Sequence, residues 1–484
     1  MAGHANLITK VLVLGMLSAH KAKLFWLFLL LLLLPVLPLL AQQKRFQNPT
    51  RIPVYRSKTD SAKITEIESA IRQLAQTTAP PDKASDSLMS LYRKLYPQAI
   101  IGFRNIYFPD REFITLDSVR QIEDLLTVKK LSVYDYRGRD LPEIIFECKN
   151  LVSLELIKTD IRKLPKRLND LTHLKEIKIY NHRRGRVKLK KNNTVTQLVF
   201  SGASAKSLPK TYRPFAALEK LDLAGNWLTR FPQGARHNKK LRELNLQDNK
   251  LRLNRKLKKH PYVETLALQH NQIKKLPASL RSFHNLRKLN FNYNRISSVH
   301  RDIRFLTRLE FLSFYNNELK AIPQGVYELK ALREIDLFYN SIETLDERIG
   351  RWKNLRMLYL SHNKILSLPE SIGQLSALEG LYVWDNRIST LPRTLGEIST
   401  LRFLWLNNNN LTTLPASLFR LDHIEELDVS HNFLTTIPAS VFDLNHLKIL
   451  SLIDNPWDQE TRDVIFRKTP LLRSRNVFVH IPDR

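Results

Sequence analysis

The sequence predicts an α/β fold, a curved solenoid in which a parallel sheet lines the concave face and short helices or 3-10 turns form the convex side. A helical cap is expected at its N-terminal end. Three features predict this fold: leucines recur every 23 residues, an asparagine recurs in the same register, and a proline follows at a fixed distance. A constant period of this length indicates a solenoid, because one unit can bury its apolar face only against its neighbours.

The leucine period is clearest in residues 355–377, LRMLYLSHNKILSLPESIGQLSA, which read LxxLxLxxNxLxxLPxxLxxLxx. About 15 units are in phase, and they begin at Val128, Leu151, Leu174, Val195, Leu218, Leu241, Val263, Leu286, Leu309, Leu332, Leu355, Leu378, Leu401, Ile424 and Leu447. Two intervals depart from 23, since Leu174 to Val195 is 21 and Leu241 to Val263 is 22. Within a unit, Leu355, Leu358 and Leu360 occupy inward positions of a short strand, and the residues between them face outward.

The recurring asparagines and prolines mark how each unit leaves the sheet. An asparagine amide at the end of the strand can pair with backbone groups that the turn would otherwise bury. It occurs at Asn226, Asn249, Asn271, Asn294, Asn317, Asn340, Asn363, Asn386, Asn409, Asn432 and Asn455. Proline suits the first turn of a helix, where its missing N–H leaves no bond unmade. It occurs at Pro142, Pro165, Pro209, Pro232, Pro277, Pro323, Pro369, Pro392, Pro415 and Pro438. Each convex segment is therefore predicted to be a short helix or a 3-10 turn.

These repeats resemble the leucine-rich repeat family. Their LPxxLxxL form is similar to the Ras-group repeats of intracellular scaffolds and to bacterial leucine-rich repeat proteins. The resemblance covers residues 128–455 and implies a partner-binding concave face, but it leaves the ligand open. Cys148 is the only cysteine, so the disulfide caps of animal and plant extracellular members cannot form here. This favours a bacterial exported protein.

The N-terminal region precedes the repeats. Residues 24–40, LFWLFLLLLLLPVLPLL, follow Lys21 and Lys23 and are typical of a signal peptide over residues 1–41, with Met16 as a second candidate start. Residues 42–59 read as a linker, and residues 60–127 as the helical cap. The expected location is the periplasm, the cell surface or the medium. An uncleaved N-terminal membrane anchor is the alternative, and an intracellular Ras-group-like signalling scaffold is the alternative function.

The other end and the lone thiol have structural interpretations. Residues 456–484 are predicted to form a C-terminal cap, in which Trp457 closes the core and residues 458–467 form a short amphipathic helix with Val464 and Ile465 turned inward. Cys148 occupies a unit position held elsewhere by leucine, which predicts a buried structural thiol.

The predicted partner-binding site is on the outward positions of the central strands. Aromatic residues recur there on adjacent units, and large exposed aromatic surfaces are typical of interfaces. The candidate residues are Tyr315, Phe338, Tyr359, Tyr382, Trp384 and Trp405, with Asp336, Asp385 and Arg356 among a polar fringe that also includes Asp428, Arg333 and Arg402. The alternative interpretation is that the rings pack on one another and stiffen the sheet. A protein partner is expected, with a glycan as the other possibility; the sequence leaves the oligomeric state open.

The charge is strongly basic, with 77 Lys and Arg against 46 Asp and Glu, a net +31. Such a balance fits nucleic acid, anionic lipid, an acidic glycan or an acidic protein. Two basic runs stand out, HRRGRVKLKK at residues 182–191 and RLNRKLKKH at residues 252–260. The candidate contacts with an anionic surface are Arg183, Arg184, Arg186, Lys188, Lys190, Lys191, Arg255, Lys256, Lys258 and Lys259. Solvated loops are the competing interpretation, and nucleic acid is not expected because no nucleic-acid-binding motif accompanies the charge.

The sequence offers no catalytic, metal or cofactor site. The pairs Ser361-His362 and Ser430-His431 occupy the same position in two repeat units. Neighbouring strand residues point to opposite faces, so the serine and histidine of each pair are not expected to act together. His270, His362 and His431 lie several units apart, too far for one metal ion. No G-x-x-x-x-G-K or G-x-G-x-x-G loop occurs. A non-enzymatic binding protein is therefore predicted, and a hydrolase that uses acidic residues of the inner face is the enzymatic alternative.

Overall fold

The computed structural model describes residues 113–183, 186–203, 208–254 and 256–482. The predicted signal peptide, the linker and most of the N-terminal cap lie outside these ranges, as do the candidate residues Arg184 and Arg255. Within the described ranges, no helix combines the length and the apolar character needed to cross a membrane.

The main element is a parallel sheet that contains 17 of the 21 strands in the described residues. The strands are β1 (Ile114–Thr115), β2 (Lys130–Tyr134), β3 (Ser153–Ile157), β4 (Lys163–Leu164), β5 (Glu176–Tyr180), β6 (Lys188–Leu189), β7 (Gln197–Ser201), β8 (Lys220–Asp222), β9 (Glu243–Asn245), β10 (Thr265–Ala267), β11 (Lys275–Leu276), β12 (Lys288–Asn290), β13 (Ser298–Val299), β14 (Phe311–Ser313), β15 (Glu334–Asp336), β16 (Met357–Tyr359), β17 (Gly380–Tyr382), β18 (Phe403–Trp405), β19 (Glu426–Asp428), β20 (Ile449–Ser451) and β21 (Phe478–His480). β4 pairs only with β6, and β11 only with β13; the other strands follow one another in chain order. The predicted parallel ladder is therefore confirmed.

The register of the sheet is the same from strand to strand. Tyr359 of β16 lies beside Tyr382 of β17, which lies beside Trp405 of β18. Equivalent positions of successive units therefore form columns that run across the sheet. Inward columns are leucine and related residues, such as Leu358, Leu381 and Leu404, and these are fully buried in one continuous core.

The convex side consists of 3-10 helices. They span Leu125–Thr127, Glu143–Phe146, Lys166–Asp170, Gln233–His237, Ala278–Ser282, Arg301–Phe305, Gln324–Glu328, Glu347–Arg351, Glu370–Gln374, Arg393–Glu397, Ala416–Arg420 and Ala439–Asp443. The recurring prolines lie one residue earlier than predicted, at the N-cap; Pro369, for example, precedes Glu370–Gln374 with φ −73° and an extended ψ of 154°. Proline fits this position because its fixed φ matches the extended backbone before the turn. Where proline is absent, His300 and Asp346 cap the helix with a side-chain acceptor.

The recurring asparagines make the bonds that the sequence predicts. Asn363 Nδ2 donates to the carbonyl oxygens of Leu360 at 2.9 Å and of Leu337, in the preceding unit, at 3.0 Å. Asn363 Oδ1 accepts from the N–H of Ile342 at 2.9 Å. One side chain thus pairs backbone groups of two successive units, and the same pattern repeats at Asn386 and Asn409.

A left-handed residue precedes the asparagine position in each unit. Its φ is between 50° and 67°, and it falls at Asp135, Lys158, Asn181, Gly202, Gly225, Asp248, His270, Tyr293, Asn316, Tyr339, His362, Asp385, Asn408, His431 and Asp454. Glycine adopts this conformation freely, whereas other residues pay about 1 kcal/mol. The chain therefore makes the same sharp exit from the sheet in every unit, mostly without glycine.

The two ends of the described chain contain strands that the sequence did not predict. β1 pairs with β2 and is followed by helix α1 (Leu116–Val119), so residues 113–127 are not purely helical. At the other end, helix α2 (Gln459–Ser474) is longer than the predicted 458–467 because its buried face continues to Leu472, and β21 extends the sheet beyond β20. Trp457 is buried, and its Nε1–H donates to the Leu452 carbonyl at 2.8 Å.

The lone thiol is where the sequence predicts it. Cys148 is fully buried in the core beside Phe146 and Leu151, and burial raises the pKa of its thiol. A buried thiol with a raised pKa is a poor nucleophile.

Candidate functional site

The rings of the inner face form three neighbouring columns. The strand residues Tyr359, Tyr382 and Trp405 make the first column. Two residues further along each unit, Tyr315, Phe338 and Trp384 make the second, and the left-handed residues Tyr293, Tyr339 and His362 make the third. These nine residues are called the aromatic surface below. None of them belongs to the leucine core, which lies on the other face of the strands.

The rings of the aromatic surface contact one another from strand to strand. Tyr359 stacks on Tyr382 with ring centroids 4.9 Å apart, and Tyr382 meets Trp405 edge to face at 5.4 Å. In the second column the ring centroids of Tyr315 and Phe338 are 6.4 Å apart. In the third column Tyr339 stacks on His362 with ring centroids 4.0 Å apart. Such offset and edge-to-face contacts are favourable arrangements for aromatic pairs. The surface is therefore one connected layer of rings.

Several predicted contact residues are less accessible than expected. Tyr315 is 3% exposed, Phe338 4% and Tyr382 7%. The expectation that these side chains are exposed is wrong, because each ring packs against rings of neighbouring strands. Asp336 is also buried, so it is not part of a polar fringe. Accessible area remains at Tyr359, Trp384 and Trp405, which are partly exposed, as is Asp385, while Arg356 is exposed.

Two carboxyl groups lie on β15 beside the rings, and Asp336 is buried whereas Glu334 is half-buried. Burial raises the pKa of Asp336 to about 7, although its Oδ2 accepts from Ser313 Oγ at 3.0 Å and its Oδ1 from the Phe338 N–H at 3.1 Å. Burial, together with the neighbouring Asp336, raises the pKa of Glu334 to about 7. Both oxygens of Asp336 are engaged by the fold, which indicates a structural carboxyl rather than an acid or base for catalysis.

The rim of the surface carries a histidine and aspartate pair. His362 Nδ1 contacts Asp385 Oδ2, and the His362 ring meets Trp384 edge to face at 4.2 Å. Burial lowers the pKa of His362, and Asp385 opposes this shift. Among the described residues the Trp384 indole N–H has no hydrogen-bond acceptor, whereas that of Trp405 donates to Glu426 Oε2 at 3.1 Å. Trp384 can therefore offer both a ring and a donor to a ligand.

A row of charges borders the aromatic surface. The residue after the first leucine of each unit alternates in sign from Glu219 to Arg333, and the ion pairs in this row include Arg242 with Glu264 at 3.1 Å and Arg287 with Glu310 at 2.6 Å. The alternation breaks where Arg333 is followed by Arg356 on the next strand. Arg333 has no carboxylate partner among the described residues, and Arg356 reaches Glu379 only at 3.5 Å. Two like charges side by side across strands favour an anionic group from outside.

The two basic runs differ in the structure. In the first run, Arg183 pairs with Asp135 and Arg186 Nε donates to the Leu208 carbonyl at 3.1 Å, while Lys188, Lys190 and Lys191 are exposed. In the second, Lys258 and Lys259 line a cleft together with Arg236, His237, Lys239, Pro261 and Tyr262. The cleft residues before Lys258 were missed, although Arg255 stands at the repeat position of the proline between Pro232 and Pro277 and marks the irregular unit in the sequence.

The described residues show no assembled catalytic or metal site. Ser430 Oγ donates to Asp428 at 2.6 Å rather than to His431, and His431 pairs with Asp454 at 3.1 Å. Ser361 Oγ is buried and has no hydrogen-bond partner in this part of the chain. Over the same residues, no three His, Cys, Asp or Glu side chains are grouped as metal ligands.

Comparisons with known proteins agree with the repeat architecture. A family model described as leucine rich repeat matches residues 315–365, 332–388, 353–411 and 399–456. A leucine-rich repeat protein of Leptospira interrogans has a TM-score of 0.59 at 26% identity, covering 76% of this chain and 98% of that one. No curated protein sequence matches the chain at a significant level.

Two further solved structures share the fold at lower identity. The TLR13–ssRNA13 complex has a TM-score of 0.59 at 20% identity, covering 76% of this chain and 56% of that one. The Toll–Spatzle complex of Drosophila has a TM-score of 0.57 at 20% identity, and the match covers 69% of this chain and 48% of that one. One of these structures is a complex with RNA and the other a complex with Spatzle, so likeness in fold does not choose a ligand class.

Proposed function

We propose, on the premise that the chain is a leucine-rich repeat protein, that it is a non-enzymatic binding protein whose aromatic surface captures a protein partner. The observation that carries this proposal is the connected layer of rings on the inner face, which is separate from the core and keeps Tyr359, Trp384 and Trp405 partly accessible. Rigid aromatic side chains supply large contact area at low entropic cost and dominate interface energetics.

The charges next to the rings specify the partner further. Arg333 and Arg356 lie on adjacent strands with one weak carboxylate contact between them. Arginine pairs well with carboxylates in a bidentate geometry. The proposed partner therefore presents apolar or aromatic side chains to the rings and an acidic side chain to the arginines. A glycan partner would satisfy the rings but leave the arginines without a carboxylate, unless it carried acidic sugars.

Mutation of the accessible tryptophans tests this function. Trp384→Ala with Trp405→Ala should reduce capture of the partner from a native surface fraction at least tenfold, because both remove accessible ring area from the aromatic surface. Trp227→Ala is the matched control, since Trp227 is 67% exposed and lies outside the aromatic surface. Loss of capture in the control as well, or full capture by the double variant, would place the site elsewhere.

Folding of the double variant must be checked separately. The ring centroids of Trp384 and Phe338 are 6.1 Å apart, and those of Trp405 and Tyr382 are 5.4 Å apart. Because these ring contacts are lost, the double alanine variant is expected to lose some stability. Trp384→Tyr with Trp405→Tyr retains ring packing and should recover the melting temperature. Circular dichroism of the three variants separates loss of binding from loss of fold.

We further propose that the protein is exported to the bacterial envelope or surface. The apolar stretch at residues 24–40 and the absence of disulfide-forming cysteines support this location. Cell fractionation with protease accessibility tests it. Protection of the repeats in intact spheroplasts would instead favour a scaffold held on the cytoplasmic side.

A further inference from the structure

The cleft on the convex side arises from an irregular unit. The neighbouring units have 3-10 helices at Gln233–His237 and Ala278–Ser282, but the described residues between β9 and β10 form none. The unit is also 22 residues long, from Leu241 to Val263, rather than 23. A cleft of about 410 Å³ lies between the helix Gln233–His237 of one unit and the loop around Lys258 and Lys259 of the irregular unit that follows. This size is within the range of small-molecule sites.

The loop that forms one wall of the cleft is held in place from both sides. The Leu257 N–H donates to Ser279 Oγ at 2.9 Å, and Ser282 Oγ donates to the Lys258 carbonyl at 3.0 Å. His260 is buried and stacks on Phe283 with ring centroids 4.7 Å apart. Burial lowers the pKa of His260 to about 4, so it remains neutral and supports the wall without adding charge. Lys258 and Lys259 therefore extend from a fixed backbone.

The cleft concentrates positive charge from two units. Arg236 and Lys239 come from one unit, and Lys258 and Lys259 from the next. None of the four has a carboxylate partner among the described residues, and residues 223–242 and 249–263 contain no Asp or Glu. His237 Nε2 accepts from Arg236 Nε at 2.9 Å, and this bond orients the guanidinium. Four uncompensated cations around one cavity repel one another until an anion binds.

We propose that this cleft binds a phosphate ester group on a ligand about the size of one sugar. A phosphate has several acceptor oxygens with which it can meet lysine and arginine donors from both walls at once. The partly exposed ring of Tyr262 offers a flat apolar face beside the charges, as expected for the carbon skeleton of such a ligand. The site is independent of the aromatic surface, which lies on the opposite side of the sheet.

Calorimetry on the full-length chain in detergent tests the proposal with inorganic pyrophosphate and glucose 1-phosphate as probes. Lys258→Ala with Lys259→Ala should weaken binding at least tenfold. Lys274→Ala with Lys275→Ala removes the same charge from another exposed lysine pair and should change affinity less than twofold. Arg236→Ala with Lys239→Ala removes the opposite wall and should repeat the first result if the site spans both units.

Vesicles identify the source of the phosphate. Binding to phosphatidylglycerol vesicles that is lost in the Lys258/Lys259 variant and retained in the Lys274/Lys275 variant would assign a lipid headgroup. Binding of the soluble probes without vesicle binding would assign a soluble phosphorylated ligand. Equal weakening by both lysine pairs would show diffuse charge attraction and overturn the proposal, as would the absence of binding by the unaltered chain. The Trp384/Trp405 variant should bind the probes normally, so this result is separable from partner capture.

Discussion

The first four units, residues 128–217, and the later units, residues 218–455, bury the same inward leucines but differ in how the chain leaves the sheet. Strands in the first region are five residues long, as in β3, whereas those in the second are three residues long, as in β16. The early units have Tyr136, Thr159, His182 and Ala203 where the later units have asparagine. In the later units the asparagine side chain pairs carbonyls that a longer strand would otherwise pair directly.

The inner faces of the two regions also differ. The early units carry a small cluster of Ile157, Tyr180 and Val199 on the inner face, and the later units carry the aromatic surface. The charge row alternates only from Glu219 onward; the early units have Lys129, Val152, Lys175 and Thr196 in that column. The comparison shows that inward positions specify the solenoid, while outward positions vary independently and determine what each region can bind.

The largest expected effect is removal of one recurring asparagine. Asn363→Ala should lower the free energy of unfolding by about 3 to 5 kcal/mol, because backbone groups of two units lose their partners in a buried site. Thr159→Ala changes the equivalent position of an early unit, where Thr159 Oγ is buried and has no partner in the described residues, and should cost less than about 1 kcal/mol. Urea denaturation measures both. Equal losses of unfolding free energy in the two variants would mean that the same hydrogen bonds hold the chain where it leaves the sheet in both regions.

An intermediate effect is expected from pH. The pKa of Asp336 is raised to about 7 from 3.8, so the stability associated with its protonated form is fully present below about pH 4 and is lost as the pH rises through 7. Asp336→Asn keeps a neutral side chain that can accept from the Phe338 N–H through Oδ1 and donate to Ser313 Oγ through Nδ2, and it should raise the melting temperature at pH 8 by about 2 to 4 °C. At pH 5 the difference in melting temperature between the variant and the unaltered protein should be smaller. A variant that is less stable at pH 8 would contradict the assignment of a protonated carboxyl.

The early region should respond to pH in the opposite direction. The hydrogen bond from Arg183 holds the pKa of Asp135 below its ordinary 3.8. The contribution of ionised Asp135 to stability is therefore present above pH 3.8 and is lost only in stronger acid. Hydrogen exchange, corrected for intrinsic rates, should show increasing protection of β14–β16 between pH 7 and pH 5. Protection of β2 and β3 should remain constant over the same interval.

The smallest effect on stability is expected at the break in the charge row. Arg356→Gln removes a repulsion with Arg333 and a weak pair with Glu379, so stability should change by less than about 0.5 kcal/mol. Capture of an acidic partner should nevertheless weaken and become less sensitive to salt. Lys175→Gln makes the same charge change in the same column of an early unit and should leave capture unchanged. An equal loss in both variants would indicate general attraction by net charge.

Periodic features of the molecule were predictable from the sequence, whereas features that depend on contacts between side chains were not. Leu358, Asn363 and Cys148 occupy repeat positions that assign each of them to the core or to the turn. The parallel pairing of the strands follows from the same repeat. The period alone does not reveal that Tyr315 and Phe338 cover each other, because their burial depends on ring orientation. The cleft at Lys258 depends on the absence of a 3-10 helix from the described residues between β9 and β10, and β1 and β21 lie outside the repeats.

The uniform register also fixes a length scale for any extended peptide that lies along the solenoid axis. Adjacent strands are about 4.8 Å apart, and an extended chain advances about 3.3 Å per residue. Three residues of such a peptide therefore span about two strands. Because side chains of an extended chain alternate in direction, those six positions apart point the same way and would meet equivalent rings about four units apart. A peptide that crosses the axis would meet only one or two units. The spacing of the anchoring side chains in a bound peptide would thus report its direction across the inner face.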